Sequence, residues 1–234
     1  MSDSHVGGES PQRLRTLMAL PGRTEDHTAS FHRCLAGLLE LAGADAAPDD
    51  GTAAWQSTAR RTIRQELKER DQLPEEFFDP LIMAGVYDSN PSANRQFIEP
   101  AVTAFGRRRV KTALIEVLRT GTNAERAGAA RAWYWTGIQM RVTGRDSSGA
   151  YIYAPESLAE REAVADLTAQ WQEHALREFV SNEDLDVRRC ILPGLGLNPA
   201  KRPAEFRKLV TEAVRIARAH PDEYIRHRVE HQVR

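Results

Sequence analysis

Four stretches of this chain repeat one arrangement, and that arrangement most limits the folds open to it. They are SNPSANRQFIEPAVTAF at 89–105, TNAERAGAARAWYW at 122–135, SNEDLDVRRCILPGL at 181–195 and AHPDEYIRHRVEHQV at 219–233. Aligned on Arg95, Gly128, Arg188 and Arg226, they are separated by steps of 33, 60 and 38 residues. Each aligned position follows a polar turn rich in Asn, Pro, Asp and Ser. Asn94, Ala127, Val187 and Ile225 stand one residue before it. Three and seven residues after it come Ile98 and Val102, Ile191 and Leu195, Val229 and Val233, whereas the second copy has Arg131 and Trp135. A segment with helical apolar spacing precedes each turn. A unit of helix, polar turn and helix that recurs every ~35–40 residues buries one face per unit, so several must stack to close a core.

The rest of the chain is consistent with this. After Pro21-Gly22, Phe31, Cys34, Leu35, Leu38 and Leu39 form one helical stripe, and Trp55, Ala59, Ile63 and Leu67 form another. LPEEFFDPLIMAGVY starts with Pro and two acids, the chemistry of a first helical turn. Period-2 alternation is missing except in AYIYAP at 150–155, which is expected to lack a partner strand. The sequence predicts an all-α protein: a disordered tail over 1–22, N-terminal capping helices over 23–72, and helical repeats over 73–234 with a loop inserted at 141–160.

At the turns the pattern resembles HEAT repeats. NEDLDVRRCIL and HPDEYIRHRV carry the resemblance best and NPSANRQFIEP follows, while NAERAGAARA has Gly128 where that family usually has Arg. The resemblance covers about 73–234. It implies a right-handed α-solenoid of stacked antiparallel helix pairs that binds proteins and, in a few branches, nucleic acid. The turn Asp or Asn is expected to cap each second helix. Arg188 and Arg226 are expected to bond carboxylates or carbonyls between repeats.

Composition excludes more than it suggests. The net charge of −1 gives no global field to gather nucleic acid or anionic lipid. Of 32 basic residues only four are Lys (Lys68, Lys111, Lys201 and Lys208), a bias expected of a GC-rich bacterial genome. Cys34 and Cys190 sit in apolar contexts and make no disulfide framework. The polar start of the chain predicts no secretory leader. The apolar stretch at Leu35–Ala47 is interrupted by Glu40, Gly43 and Asp45 and is too short for a membrane span. A cytoplasmic location, no membrane association and no cofactor are expected.

Chemical motifs are sparse. His227-Arg-Val-Glu230-His231 reads H-x-x-E-H, with two imidazoles on one helical face. In the zinc peptidases that this motif resembles, a further acidic ligand lies well downstream. Only three residues follow His231, none of them acidic, so no metal is assigned. GLGLNP at 194–199 follows no strand and reads as a helix-ending loop. No P-loop, G-x-S-x-G, C-x-x-C pair or H-E-x-x-H is present.

The long step between the second and third copies carries the binding candidates. Trp133, Tyr134 and Trp135 form the densest aromatic cluster, beside a loop holding Arg141, Arg145, Tyr151 and Tyr153. Aromatics and Arg anchor interfaces. By alignment Tyr134 and Trp135 face the core and Trp133 does not. Arg107, Arg108, Arg109 and Lys111 crowd a helix start, against the helix dipole, and suggest an anion or nucleic-acid patch unless carboxylates neutralise them. The leading expectation is a non-enzymatic protein-binding scaffold with an unidentified protein partner. The alternative is nucleic-acid binding, perhaps as a HEAT-like DNA glycosylase using Trp133, Trp135, Asp146 and Arg141. A third is a small-molecule or metal site at His220, His227 and His231.

Overall fold

The computed structural model describes residues 27–44, 49–70 and 72–234; the tail expected over 1–22 lies outside the described residues. The chain is mostly helical. The first two helices form where the stripes require them. In α1 (Thr28–Ala42) Phe31, Leu35, Leu38, Leu39 and Ala42 are buried. Gly43, at φ 62°, ends α1 in the left-handed conformation, and its amide returns to the Glu40 carbonyl. In α2 (Ala53–Lys68) the Thr52 side chain accepts from the Trp55 amide, and Trp55, Ala59, Ile63 and Leu67 turn inward.

Then follow α3 (Phe78–Tyr87), α4 (Arg95–Phe105), α5 (Arg107–Thr120) and α6 (Asn123–Trp133). Gly106 alone joins α4 to α5, at φ 85°. A two-stranded hairpin, β1 (Val142–Arg145) and β2 (Tyr151–Tyr153), leads into α7 (Pro155–Glu162). The remaining helices are α8 (Ala165–Ser181), α9 (Leu185–Ile191), α10 (Arg207–Ala219) and α11 (Glu223–Gln232). None of the described helices is long and apolar enough to cross a membrane.

Two of the four polar turns cap their helices with Asp as expected, and a third does so with other residues. Asp184 accepts from the Val187 amide and Asp222 from the Ile225 amide. Thr122 and Glu125 form a reciprocal capping box. The first turn differs. Asn94 has helical backbone angles and no capping bond, and its buried amide reaches the Gly85 carbonyl and the Trp135 indole instead.

One apolar core runs from Phe31 in α1 to Val229 in α11. Residues such as Phe97 and Phe179 are fully enclosed, and each such side chain stabilises the fold by roughly 1.5–3 kcal/mol. α1 lies on α2 and α3, α3 also meets α4 and α6, and α5 packs against α6 and α8. Farther along, α8 meets α10, α6 meets α9, and α10 meets α11. Gly128 explains the departure from Arg in the second copy. A Cβ there would overlap the Val86 carbonyl oxygen, so only glycine lets α6 lie on the α3 backbone.

Polar clasps cross between the helix pairs. Arg60 on α2 makes two bonds to the fully buried Asp88 at the end of α3, at 2.9 and 2.8 Å. Arg126 on α6 meets Glu178 on α8 at 2.6 Å, and Arg189 on α9 grips Asp222, the cap of α11. Arg188 and Arg226, the arginines expected to bridge repeats, bond carbonyls of their own helix pair instead. Arg188 donates to Phe179 at 3.2 Å, and Arg226 to His220 and Pro221, both at 2.7 Å. The bridging role passes to Arg189, whose direction on the helix points toward the next turn.

AYIYAP does have a partner. Tyr153 pairs with Val142, Ile152 with Gly144 and Tyr151 with Arg145, with an irregularity between Val142 and Gly144. The turn makes the hairpin. Asp146 Oδ1 accepts from the Ser148 amide and hydroxyl and from the Ala150 amide, and Gly149 takes φ 84°.

Candidate functional site

The aromatic cluster at the end of α6 divides between core and surface, in a different phase from the one the alignment predicts. Regular helix stops at Trp133, and a tight 3-10 turn carries Tyr134–Thr136. That turn rotates the side chains out of α-helical register. Tyr134, expected inside, is 74% exposed. Trp133, expected outside, stacks on Trp171 of α8, with ring centroids 4.1 Å apart and planes 6° apart. Trp135 is half-buried as expected. Its indole N–H donates to Asn94 Oδ1 at 2.7 Å and the Pro91 carbonyl at 3.0 Å, and Arg95 lies over its ring.

Lys111 covers Trp133. Its ammonium lies 3.6 Å from the indole centroid. Two groups cannot share one face of the ring, so Lys111 and Trp171 hold opposite faces. Lys111 is only 5% exposed; burial, with a smaller push from Arg107, lowers its pKa from 10.5 to about 8.

The neighbouring arginines are engaged as well. Arg107 bonds Glu160 and the Thr136 and Gly137 carbonyls. Arg108 makes two bonds to Asp166, and the Ala163 carbonyl accepts a third. Arg109 pairs with Glu75 and stacks over Phe78 at 3.9 Å. Carboxylates from three distant segments thus offset the charge at the start of α5.

The inserted loop presents the exposed apolar surface. Among the described residues the exposed large hydrophobics are Tyr134, Val142, Tyr151, Ile152 and Leu158, all within 134–158. Tyr151 is 52% and Ile152 46% exposed. Strand pairing puts Tyr151 and Tyr153 on one face, with ring centroids 6.4 Å apart, and Ile152 on the other. Arg145 stacks on Tyr151 at 4.2 Å and donates to its hydroxyl at 2.8 Å. Arg141 pairs with Glu156 at the hairpin base. The arm is thus rigidified by its own side chains and turn. Asp146 is occupied in that turn and does not converge with Trp133 or Trp135, which are held elsewhere.

The terminal histidines form no metal cage. His227 and His231 lie side by side with centroids 5.1 Å apart, but Glu230 makes two bonds to Arg218. His220 Nδ1 accepts from the Asp222 amide at 3.0 Å, and burial and Arg188 push its pKa down. No cluster of three metal-binding side chains occurs among the described residues. Burial pushes both thiols, Cys34 and Cys190, up to about 11, which makes them poor nucleophiles.

The structure adds a surface that the repeat reading passes over. A groove of about 1200 Å³ runs between α2 and α4. Arg60, Arg61, Arg64, Lys68, Arg70 and Arg95 line it, and among the described residues the one carboxylate in the lining is Glu99. The signal is present in RRTIRQELK: Arg61, Arg64 and Lys68 share one face of α2, beside the buried stripe. Attention to the apolar stripe alone hides it.

The chain matches no protein-family model, no curated protein and no solved structure.

Proposed function

We propose that this protein is a non-enzymatic binding scaffold: a right-handed, HEAT-like α-solenoid that holds a protein partner against the hairpin arm. The carrying observation is the concentration of exposed large hydrophobics within 134–158. Such patches on a folded surface mark contacts. Tyr151 and Tyr153 offer the rigid amphipathic area that anchors interfaces, and the free edges of a two-stranded sheet accept an added strand. The succession of helix pairs, with capped turns and contacts between neighbouring pairs, supports the solenoid reading.

The test is affinity purification from the native host after nuclease treatment, with wild type beside Tyr151→Ser combined with Ile152→Ser. Both residues are exposed, so melting temperature should not change. A stoichiometric protein captured by wild type and lost by the variant is the expected result. Equal capture by both proteins would remove the arm from the interface. A partner lost on nuclease treatment would favour nucleic-acid binding.

A further inference from the structure

We propose that the groove between α2 and α4 is a second docking site, and that it takes an acidic protein segment in which carboxylates alternate with apolar side chains. It is separate from the hairpin arm and does not depend on it.

The charge argument comes first. Arg60 is neutralised by Asp88 beneath it, and Arg95 by Glu99 beside it at 2.8 Å. Arg70 is anchored to the Ala42 carbonyl at 2.6 Å and packs over Phe77. Arg61, Arg64 and Lys68 are different: all three are exposed, and no carboxylate of the described residues pairs with them. Many exposed arginines elsewhere hold a carboxylate, among them Arg108, Arg109, Arg141, Arg177, Arg215 and Arg218, and the others such as Arg161 and Arg207 do not gather on one face of a groove. Three cations on one helical face with no carboxylate partner among the described residues are a local excess, suited to an anionic occupant.

The lining then selects the kind of anion. Leu67, Leu73, Pro100 and Ala104 contribute apolar surface between the cations. Phosphate backbones make no use of such a surface. No aromatic ring lines the groove, so exposed bases would find no stacking platform. Leucine-sized side chains of a peptide fit it, with carboxylates reaching the rim. Pro100 adds a further feature inside α4. It has no N–H, so the Gln96 carbonyl lacks its i+4 donor on the groove side.

Fluorescence anisotropy on the full chain tests this with three probes: a labelled peptide of alternating Glu and Leu, a poly-Glu peptide of equal length, and a short DNA duplex. The expected order has the Glu-Leu peptide tightest, with binding weakened by salt. Arg61→Glu with Arg64→Glu should weaken it by about tenfold or more, and Arg61→Gln with Arg64→Gln by less. Arg119→Glu with Arg215→Glu, exposed and remote, should change nothing, and so should Tyr151→Ser with Ile152→Ser. Circular dichroism confirms that each variant is folded. Absence of peptide binding, equal binding of poly-Glu, equal loss in the remote variant, or tighter groove-dependent binding of the duplex would each overturn the proposal. None of these results bears on partner capture by the hairpin arm.

Discussion

Lys111 carries a titration that stability measurements can read. In the unfolded chain it has an ordinary lysine pKa of 10.5; in the folded chain burial brings it to about 8. Below that value both states hold the proton, and burial of the charge opposes folding despite the Trp133 ring. Between about 8 and 10.5 the folded chain loses the proton first, unfolding takes one up, and stability rises with pH. Urea denaturation at pH 7 and pH 10 should therefore show wild type gaining up to ~3 kcal/mol relative to Lys111→Met. A pH-independent difference between the two proteins would refute the buried cation. Gly128 offers a second test at this scale. Gly128→Ala places a methyl against the Val86 carbonyl and should cost ~2–4 kcal/mol, read as a lower urea midpoint with an unchanged slope.

Among the elements, the hairpin is the most separable. None of its side chains belongs to the common core, and the chain re-enters at Ala154, whose amide bonds the Arg141 carbonyl at 2.8 Å. Replacing residues 143–152 with a Gly-Ser loop should leave stability within ~1 kcal/mol of wild type while abolishing partner capture; calorimetry and affinity purification report the two effects. The hairpin also shows what the sequence could and could not convey. Buried stripes such as Trp55, Ala59, Ile63 and Leu67, and caps such as Asp184 and Asp222, are local features read from spacing alone. β1 has no apolar alternation, so its pairing depends on the Asp146–Gly149 turn and on the Arg145–Tyr151 contact across strands. Tyr134 was out of phase because one 3-10 turn resets the rotation that helical periodicity assumes. Clasps such as Arg60–Asp88 join residues 28 apart, a distance no local pattern encodes.

At the scale of the whole molecule, the continuous core predicts a gradient of opening. Amides of α5, α6, α8 and α9, which carry Leu114, Ala127, Phe179 and Val187, should be the slowest to exchange with deuterium. Those of β1, β2 and α7 should be the fastest among the described elements, because α7 buries only Ser157. Uniform protection across α7 and α8 would contradict this packing. The groove between α2 and α4 and the hairpin arm lie on different elements. The molecule therefore has two exposed surfaces of unlike chemistry on one core. The stacked indoles of Trp133 and Trp171 have a spectroscopic consequence. Two parallel chromophores 4.1 Å apart on α6 and α8 couple their electronic transitions, so the protein contains its own optical gauge of that seam. A split ultraviolet dichroism band, absent from Trp133→Phe, would follow the approach of those two helices during refolding without any added label.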